Sequence, residues 1–345
     1  MRAAVLYGKE DVRIESVEVP ALEPGEVLLR TRAALTCGTD AKVYRRGYHA
    51  RMIVPPAVFG HEVAGVVEEV GPGVEGLEPG TPVVVANSAP CGACEFCRRG
   101  RESLCDDLLF WNGAYAELAR IPARIVAKNL LRLPDGLSFR AAAMTEPLAC
   151  VVRGVDETRV SRGQSVAVIG VGPIGQMLVA VCRLRGAEVT AVGRNAGRLE
   201  QARDLGAACV IAAEAGVDLG RRLLQASPEG RGFEVVIEAA GQAATSAAAL
   251  VGVRKGGVVN FFAGCPAGTR LAIDAQRLHY EEVAIASTFH HTPASFRESL
   301  RLIAEGHVDP ARFVTGEAPL ERLPEILREM GRGGKGLKTA IVPKA

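Results

Sequence analysis

Six short apolar runs in the second half of the chain constrain its fold more than any other feature. They are SVAVIG (165–170), EVTAVG (188–193), CVIAA (209–213), EVVIEAAG (234–241), GVVNFFAG (257–264) and VAIASTF (283–289). Each has the length of a strand, and each is apolar almost throughout, as strands covered on both faces are. Helical stretches such as GRLEQARDLG (197–206) and QAATSAAALVG (242–252) separate several of them. That alternation specifies an α/β fold with a parallel, doubly wound sheet. The first run leads into GVGPIG, which puts Gly170, Gly172 and Gly175 directly after a strand and at the mouth of a helix, with Pro173 and Ile174 between them. Such glycines permit a tight turn, close approach of a pyrophosphate and close helix packing, and the helix N-terminus offers unpaired N–H donors. The turn is predicted to bind a dinucleotide.

A chain of 345 residues is long for one hydrophobic core, and two domains are expected. The first ~140 residues look β-rich, with EVLLRTRAAL (26–35), EVAGVVEEVG (62–71) and TPVVVAN (81–87) punctuated by Pro-Gly turns. Beyond about residue 290, ASFRESLRLIAEG and ERLPEILREM read as amphipathic helices before a last strand, LKTAIVP. The expected division is a β-rich domain over 1–150 to which 290–345 return, and a dinucleotide-binding domain over 151–289.

The formal net charge is +2 and basic residues are scattered, so neither nucleic acid nor a membrane surface is an expected partner. The uncharged run between Arg162 and Arg183 has about the length of a membrane span, but Gly163, Gly170, Gly172, Pro173 and Gly175 break it. The N-terminal MRAAVLYGKEDVRI shows no apolar signal-peptide core. A cytoplasmic location is expected, where thiols stay reduced and clustered cysteines favour a metal.

Four of the nine cysteines, Cys91, Cys94, Cys97 and Cys105, fall in APCGACEFCRRGRESLC (89–105). This spacing can wrap four thiolates around one tetrahedral zinc. A disulfide pair suits the expected compartment poorly, and the usual ferredoxin runs are missing. A four-thiolate site leaves no position for substrate, so this zinc would be structural. Cys150, Cys182, Cys209 and Cys265 lie in apolar stretches and are expected in the core. Elsewhere Cys37 and His61 are good zinc ligands, and Glu62 and Glu146 offer exchangeable oxygen ligands.

Taken in order, CGTD (37–40), GHEVAGVVEEVGPGV (60–74), the four-cysteine lobe, GAYAE (113–117), TEPLAC (145–150) and GVGPIG give the chain a close resemblance to zinc-dependent medium-chain dehydrogenases of the alcohol, sorbitol and threonine dehydrogenase kind. The resemblance implies a GroES-like catalytic domain, a Rossmann domain and an active site between them. It implies a second, catalytic zinc on Cys37, His61 and a glutamate, with Glu62 and Glu146 sharing the third position. It makes Asp40 the carboxylate that orients the ligating histidine, and Thr39 the hydroxyl that takes the substrate's proton. Zinc would stabilise the alkoxide while a hydride moves to the nicotinamide, held by backbone around Phe262, Ala263 and Gly264 and around Thr288 and Phe289. The relay histidine that often follows this motif is replaced by Lys42, so His49, His290 or bulk water would carry the proton out. A homo-oligomer, tetramer or dimer, is also expected.

The choice of dinucleotide is read from the end of EVTAVGRN. An NAD-binding sheet should carry an acidic residue there for the ribose 2′-hydroxyl; this chain has Gly193, then Arg194, Asn195 and, a turn later, Arg198. Room for a 2′-phosphate and an arginine to grip it favour NADP over NAD. Phe110 and Trp111 are candidate pocket residues. Lys42, His290 and His291 suit a polar, hydroxylated substrate, so a polyol or sugar is preferred to a simple secondary alcohol, with L-threonine as the third candidate. The rivals are an NAD-dependent simple alcohol dehydrogenase, a zinc-free reductase of the same superfamily, and a non-catalytic zinc-ribbon module on a nucleotide-binding scaffold.

Overall fold

All six apolar runs form strands, and every pairing among them is parallel. The structure, a computed structural model, describes residues 1–49, 51–331 and 336–343. Across the sheet the order is Cys209–Ala212, Glu188–Gly193, Ser165–Ile169, Phe233–Glu238, Val253–Phe261 and Ala284–Ser287. The first strand in sequence lies inside the sheet, and the winding reverses between it and Phe233–Glu238. That reversal opens a crevice at the carboxyl ends of the strands, the place where doubly wound sheets bind ligands.

All five residues of Ser165–Ile169 are buried. Ala167, Ile169, Val192, Val236 and Val259 pack with Leu223 and Phe233 into one core. The two outer strands are different. Ala284–Ser287 exposes three of its four residues, and Cys209 opens the other outer strand and is exposed. The expectation that Cys209 is a core thiol is therefore wrong: an outer strand is covered less completely than an inner one. Cys182 is buried, and Cys150 and Cys265 are half-buried.

The chain divides into two compact units, Met1–Ala149 with His291–Ala345, and Cys150–His290. The helix Thr145–Glu157 carries the chain from one to the other. In the first unit, Val27–Leu35 pairs antiparallel with Val63–Val70 on one side and with the C-terminal strand Lys338–Ile341 on the other. Leu29, Phe59, Val63, Val85, Tyr115 and Ile341 belong to its core. A region read largely as strands also contains the helix Gly38–Arg46, which positions the candidate site.

The dinucleotide turn depends on close backbone approach. Gly170 has φ 108°, open chiefly to glycine. A Cβ on Gly175 would lie 1.6 Å from the Gly170 carbonyl oxygen, so helix and turn cannot pack with any side chain there. Gly175→Ala should destabilise the protein by about 1–3 kcal/mol, the usual cost of overpacking, and lower its thermal midpoint. An unchanged midpoint would show that the turn can yield.

Candidate active site and metal centres

The CGTD motif places its side chains by starting a helix. Cys37 caps Gly38–Arg46: the Thr39 N–H donates to its sulfur at 3.5 Å, and its own N–H donates to Asp40 Oδ2 at 2.8 Å. This reciprocal capping box fixes both side chains against the backbone. Asp40 is buried, and its Oδ2 also accepts from the Tyr115 hydroxyl at 2.6 Å. Its Oδ1 stands 3.1 Å from His61 Nδ1. With Nδ1 held by a carboxylate, the His61 ring keeps its other nitrogen for a metal.

Cys37 Sγ, a His61 ring nitrogen and a Glu62 oxygen lie within 4.8 Å of one another. Burial opposes ionisation of the Cys37 thiol, but His61 and Lys338 bring its pKa down to about 7; the thiolate is the ligating form. Glu62 is fully buried, and both its oxygens accept from Lys338 Nζ at 2.6 Å. The same ammonium donates to the Thr36 carbonyl at 3.1 Å, so its three protons face three acceptors. Burial alone would strip a proton from Lys338, yet Glu62 and Cys37 hold its pKa above the ordinary value.

Glu146, in the first turn of Thr145–Glu157, is also buried. Burial raises its carboxyl pKa to about 7, with His61 opposing and Glu62 reinforcing the shift; Glu146 thus shares the electrostatic neighbourhood of the cluster. Its Oε1 is 3.8 Å from His291 Nε2, which in turn is 3.1 Å from Asn87 Oδ1. Cys37, Asp40, Glu62 and Glu146 supply up to four negative charges, with His61 and Lys338 as the nearby bases. A divalent cation fits this donor set because it balances the excess and takes the Cys, His and carboxylate ligands that zinc prefers.

Thr39 is half-buried on the same helix, and Lys42 is exposed. Phe110 is half-buried, but Trp111 belongs to the core of the first unit, where its Nε1–H donates to the Arg120 carbonyl at 2.8 Å. Lys338, Tyr115 and Asn87 were not singled out from the sequence. The available signal for Lys338 is that it is the one charged residue in the end strand LKTAIVP.

The four-cysteine lobe has the geometry of a metal knuckle. The sulfurs of Cys91, Cys94, Cys97 and Cys105 lie within 4.8 Å of one another, and those of Cys91 and Cys97 are 3.9 Å apart. A zinc–thiolate bond of about 2.3 Å in a tetrahedron puts neighbouring sulfurs about 3.8 Å apart, whereas a disulfide needs about 2.05 Å. The Ala93 and Cys94 N–H groups donate to Cys91 Sγ at 3.4 and 3.3 Å, and these backbone bonds lower its pKa to about 6.

In the second unit, Gly172 caps the helix Pro173–Leu184, with Pro173 in its first turn. Ile174 and Gly175 follow in that turn. Gly193 ends the adjacent strand, and a Cβ there would lie 2.1 Å from Val171 Cγ2. An acidic residue is thus not merely absent at this position; it would displace Val171. Arg194 is exposed and Arg198 half-buried, while the Asn195 side chain accepts from the Arg198 N–H at 2.9 Å and caps Ala196–Asp204. Phe262, Ala263 and Gly264 follow Val253–Phe261, and Thr288 and Phe289 follow Ala284–Ser287. All of these positions are at carboxyl ends of parallel strands.

Residues 23–135 match the alcohol dehydrogenase GroES-like domain, and residues 173–305 match the zinc-binding dehydrogenase domain. The chain belongs to the zinc-dependent medium-chain dehydrogenase family, whose members are oxidoreductases acting on CH–OH groups. It is 29% identical to sorbitol dehydrogenase of Bacillus subtilis (strain 168), over 99% of this chain and 97% of that protein. It is also 29% identical to D-xylulose reductase A of Aspergillus oryzae, over 98% and 95%. Alcohol dehydrogenase TADH from Thermus sp. ATN1 superposes with a TM-score of 0.89 at 33% identity, covering 100% of both chains. A Sinorhizobium meliloti 1021 protein solved bound to NADP gives 0.89 at 28% identity, covering 99% of each.

Two measurements check these centres. Metal-replete protein should carry about two zinc ions per chain, and Cys37→Ala about one, folded but inactive. Cys94→Ala should lose heat stability, because zinc binding is coupled to ordering the lobe; a variant as heat-stable as wild type would contradict a structural role. Separately, Lys338→Met should destabilise the protein by about 3–5 kcal/mol, since it leaves Glu62 buried and unpaired. Adding Glu62→Gln should recover part of that loss, and no recovery would argue against the pair.

Proposed function

We propose that this chain uses NADP to oxidise the carbinol of a polyol or sugar, or to reduce the matching carbonyl, at a zinc held by Cys37, His61 and a glutamate. The observation that carries the proposal is the convergence of a thiol, an imidazole and a carboxylate within 4.8 Å in a buried setting. When bound, zinc supplies Lewis acidity toward the substrate oxygen. Cys37 and His61 fix its place; Asp40 and Tyr115 hold His61 in register. Glu62 is tied to Lys338, so moving it toward the metal would disrupt a buried ion pair, while Glu146 is the second carboxylate of the same neighbourhood. Thr39 would accept a hydrogen bond from the substrate's hydroxyl and release its own proton as the substrate's arrives. His49, half-buried and close enough to feel the charge of His61, or solvent water passes it on in place of the absent relay histidine.

The polyol or sugar reading is supported by the names of two relatives, sorbitol dehydrogenase and D-xylulose reductase A. The NADP reading is supported by Gly193, packed against Val171, and by the exposed Arg194 beside it. We also propose a homo-oligomer, for which the outer strand Ala284–Ser287, with Ile285 exposed, offers an unpaired edge among the described residues. A cytoplasmic location remains part of the proposal on the strength of the four-thiolate spacing.

Titration of NADPH and NADH by fluorescence tests the cofactor. Arg194→Ala should weaken NADPH about ten- to a hundredfold, the equivalent of one charge-assisted bond, and leave NADH nearly unaffected. Equal affinities in the wild type would overturn NADP. A turnover screen over polyols, sugars, simple alcohols and L-threonine tests the substrate; highest kcat/KM on either of the last two classes would overturn a polyol or sugar.

A further inference from the structure

We infer that Arg153 is a positioning residue for the cofactor, latching the Thr288–His290 segment in the shape that receives the nicotinamide half of the dinucleotide. The inference rests on the dinucleotide reading above. Arg153 lies in the helix Thr145–Glu157 and is 9% exposed. A guanidinium so buried must be paired and hydrogen-bonded. Its Nε donates to Glu157 Oε1 at 3.0 Å, and Nη2 donates to the same oxygen. Nη1 reaches instead to backbone, donating to the Phe289 carbonyl at 2.8 Å and the His290 carbonyl at 3.4 Å.

Those two carbonyls flank a backbone position that needs holding. His290 has φ 66°, in the left-handed region that residues with a β-carbon avoid unless their surroundings impose it. The preceding strand is an outer one with three of its four residues exposed, and Phe289 is itself 42% exposed. The Arg153 fork ties down the backbone carbonyls on both sides of this position.

A second contact on the same helix turn points the same way. Asn260, fully buried at the end of Val253–Phe261, donates to the Gly154 carbonyl at 3.2 Å and to Thr288 Oγ1 at 3.0 Å. The Phe262 ring lies against Gly154, where a Cβ would be 2.6 Å from its Cε2. Residues 153 and 154 therefore anchor both strand-end segments proposed to hold the nicotinamide, Phe262–Gly264 and Thr288–Phe289. Backbone donors and acceptors fixed before binding need not be ordered by the ligand, and the affinity lost when they loosen equals the loss in competent population.

The test separates a latch from general support of the unit. NADPH and NADH, and the fragments 2′-phospho-ADP-ribose and ADP-ribose that lack nicotinamide, are titrated into wild type, Arg153→Met and Arg153→Lys, with thermal midpoints recorded. Arg153→Met should weaken the better-bound dinucleotide about tenfold or more, as expected if a tenth or less of the population keeps the loop shape, and leave fragment binding unchanged. Arg153→Lys, which keeps the charge but not the fork, should fall between, and it carries the test if Arg153→Met does not fold. Unchanged dinucleotide affinity in the variants, or an equal loss for dinucleotide and fragment, would overturn the latch. A wild type that binds neither dinucleotide would remove the cofactor reading and the latch together.

Discussion

One buried carboxylate organises the candidate metal centre. Asp40 accepts from the Cys37 N–H and the Tyr115 hydroxyl through one oxygen and meets His61 Nδ1 through the other. A carboxylate taken out of water must find donors, and these donors come from a helix start, a distant loop and the GHE segment. Satisfying Asp40 thus brings together the backbone of one candidate ligand and the ring of another. Tyr115 is fully buried, and burial and Asp40 raise its pKa well above the ordinary value, so it stays a donor. Its hydroxyl also donates to the Leu35 carbonyl at 3.0 Å, tying the centre to the strand Val27–Leu35.

What the sequence made legible was local. The six strands announce themselves through apolar runs of the right length, the glycine turn through its place between strand and helix, and the cysteine lobe through ligand spacing. Each signal lies within about twenty neighbouring residues, so no tertiary information is needed. In the sequence Gly193 reads as room for a phosphate; the structure adds a packing cause, the closeness of Val171.

Other residues were hidden for the opposite reason. Lys338 meets Glu62 across 276 positions, and Tyr115 meets Asp40 across 75. Lys338 is marked only as a charge in its end strand, and GAYAE, which contains Tyr115, does not say that its hydroxyl serves Asp40. Cys209 misled because an apolar neighbourhood in sequence does not reveal whether its strand is inside or outside the sheet. The helix after Cys37 was written in a capping box, but cysteine is an uncommon residue at that position, so the signal was muted.

The reach of the Lys338–Glu62 contact has a consequence for how the protein is made. Glu62 leaves the ribosome 276 residues before its counter-charge. At ~5–20 residues per second, the nascent first unit waits roughly 14–55 s with that carboxylate unmatched. Over the same interval the C-terminal strand Lys338–Ile341 is missing from the edge of Val27–Leu35, so the sheet around the centre is incomplete. The second unit, by contrast, is contiguous from Cys150 to His290 and emerges whole while the first is still unfinished. Of the two units, the one begun first is therefore the one whose last residues are made last.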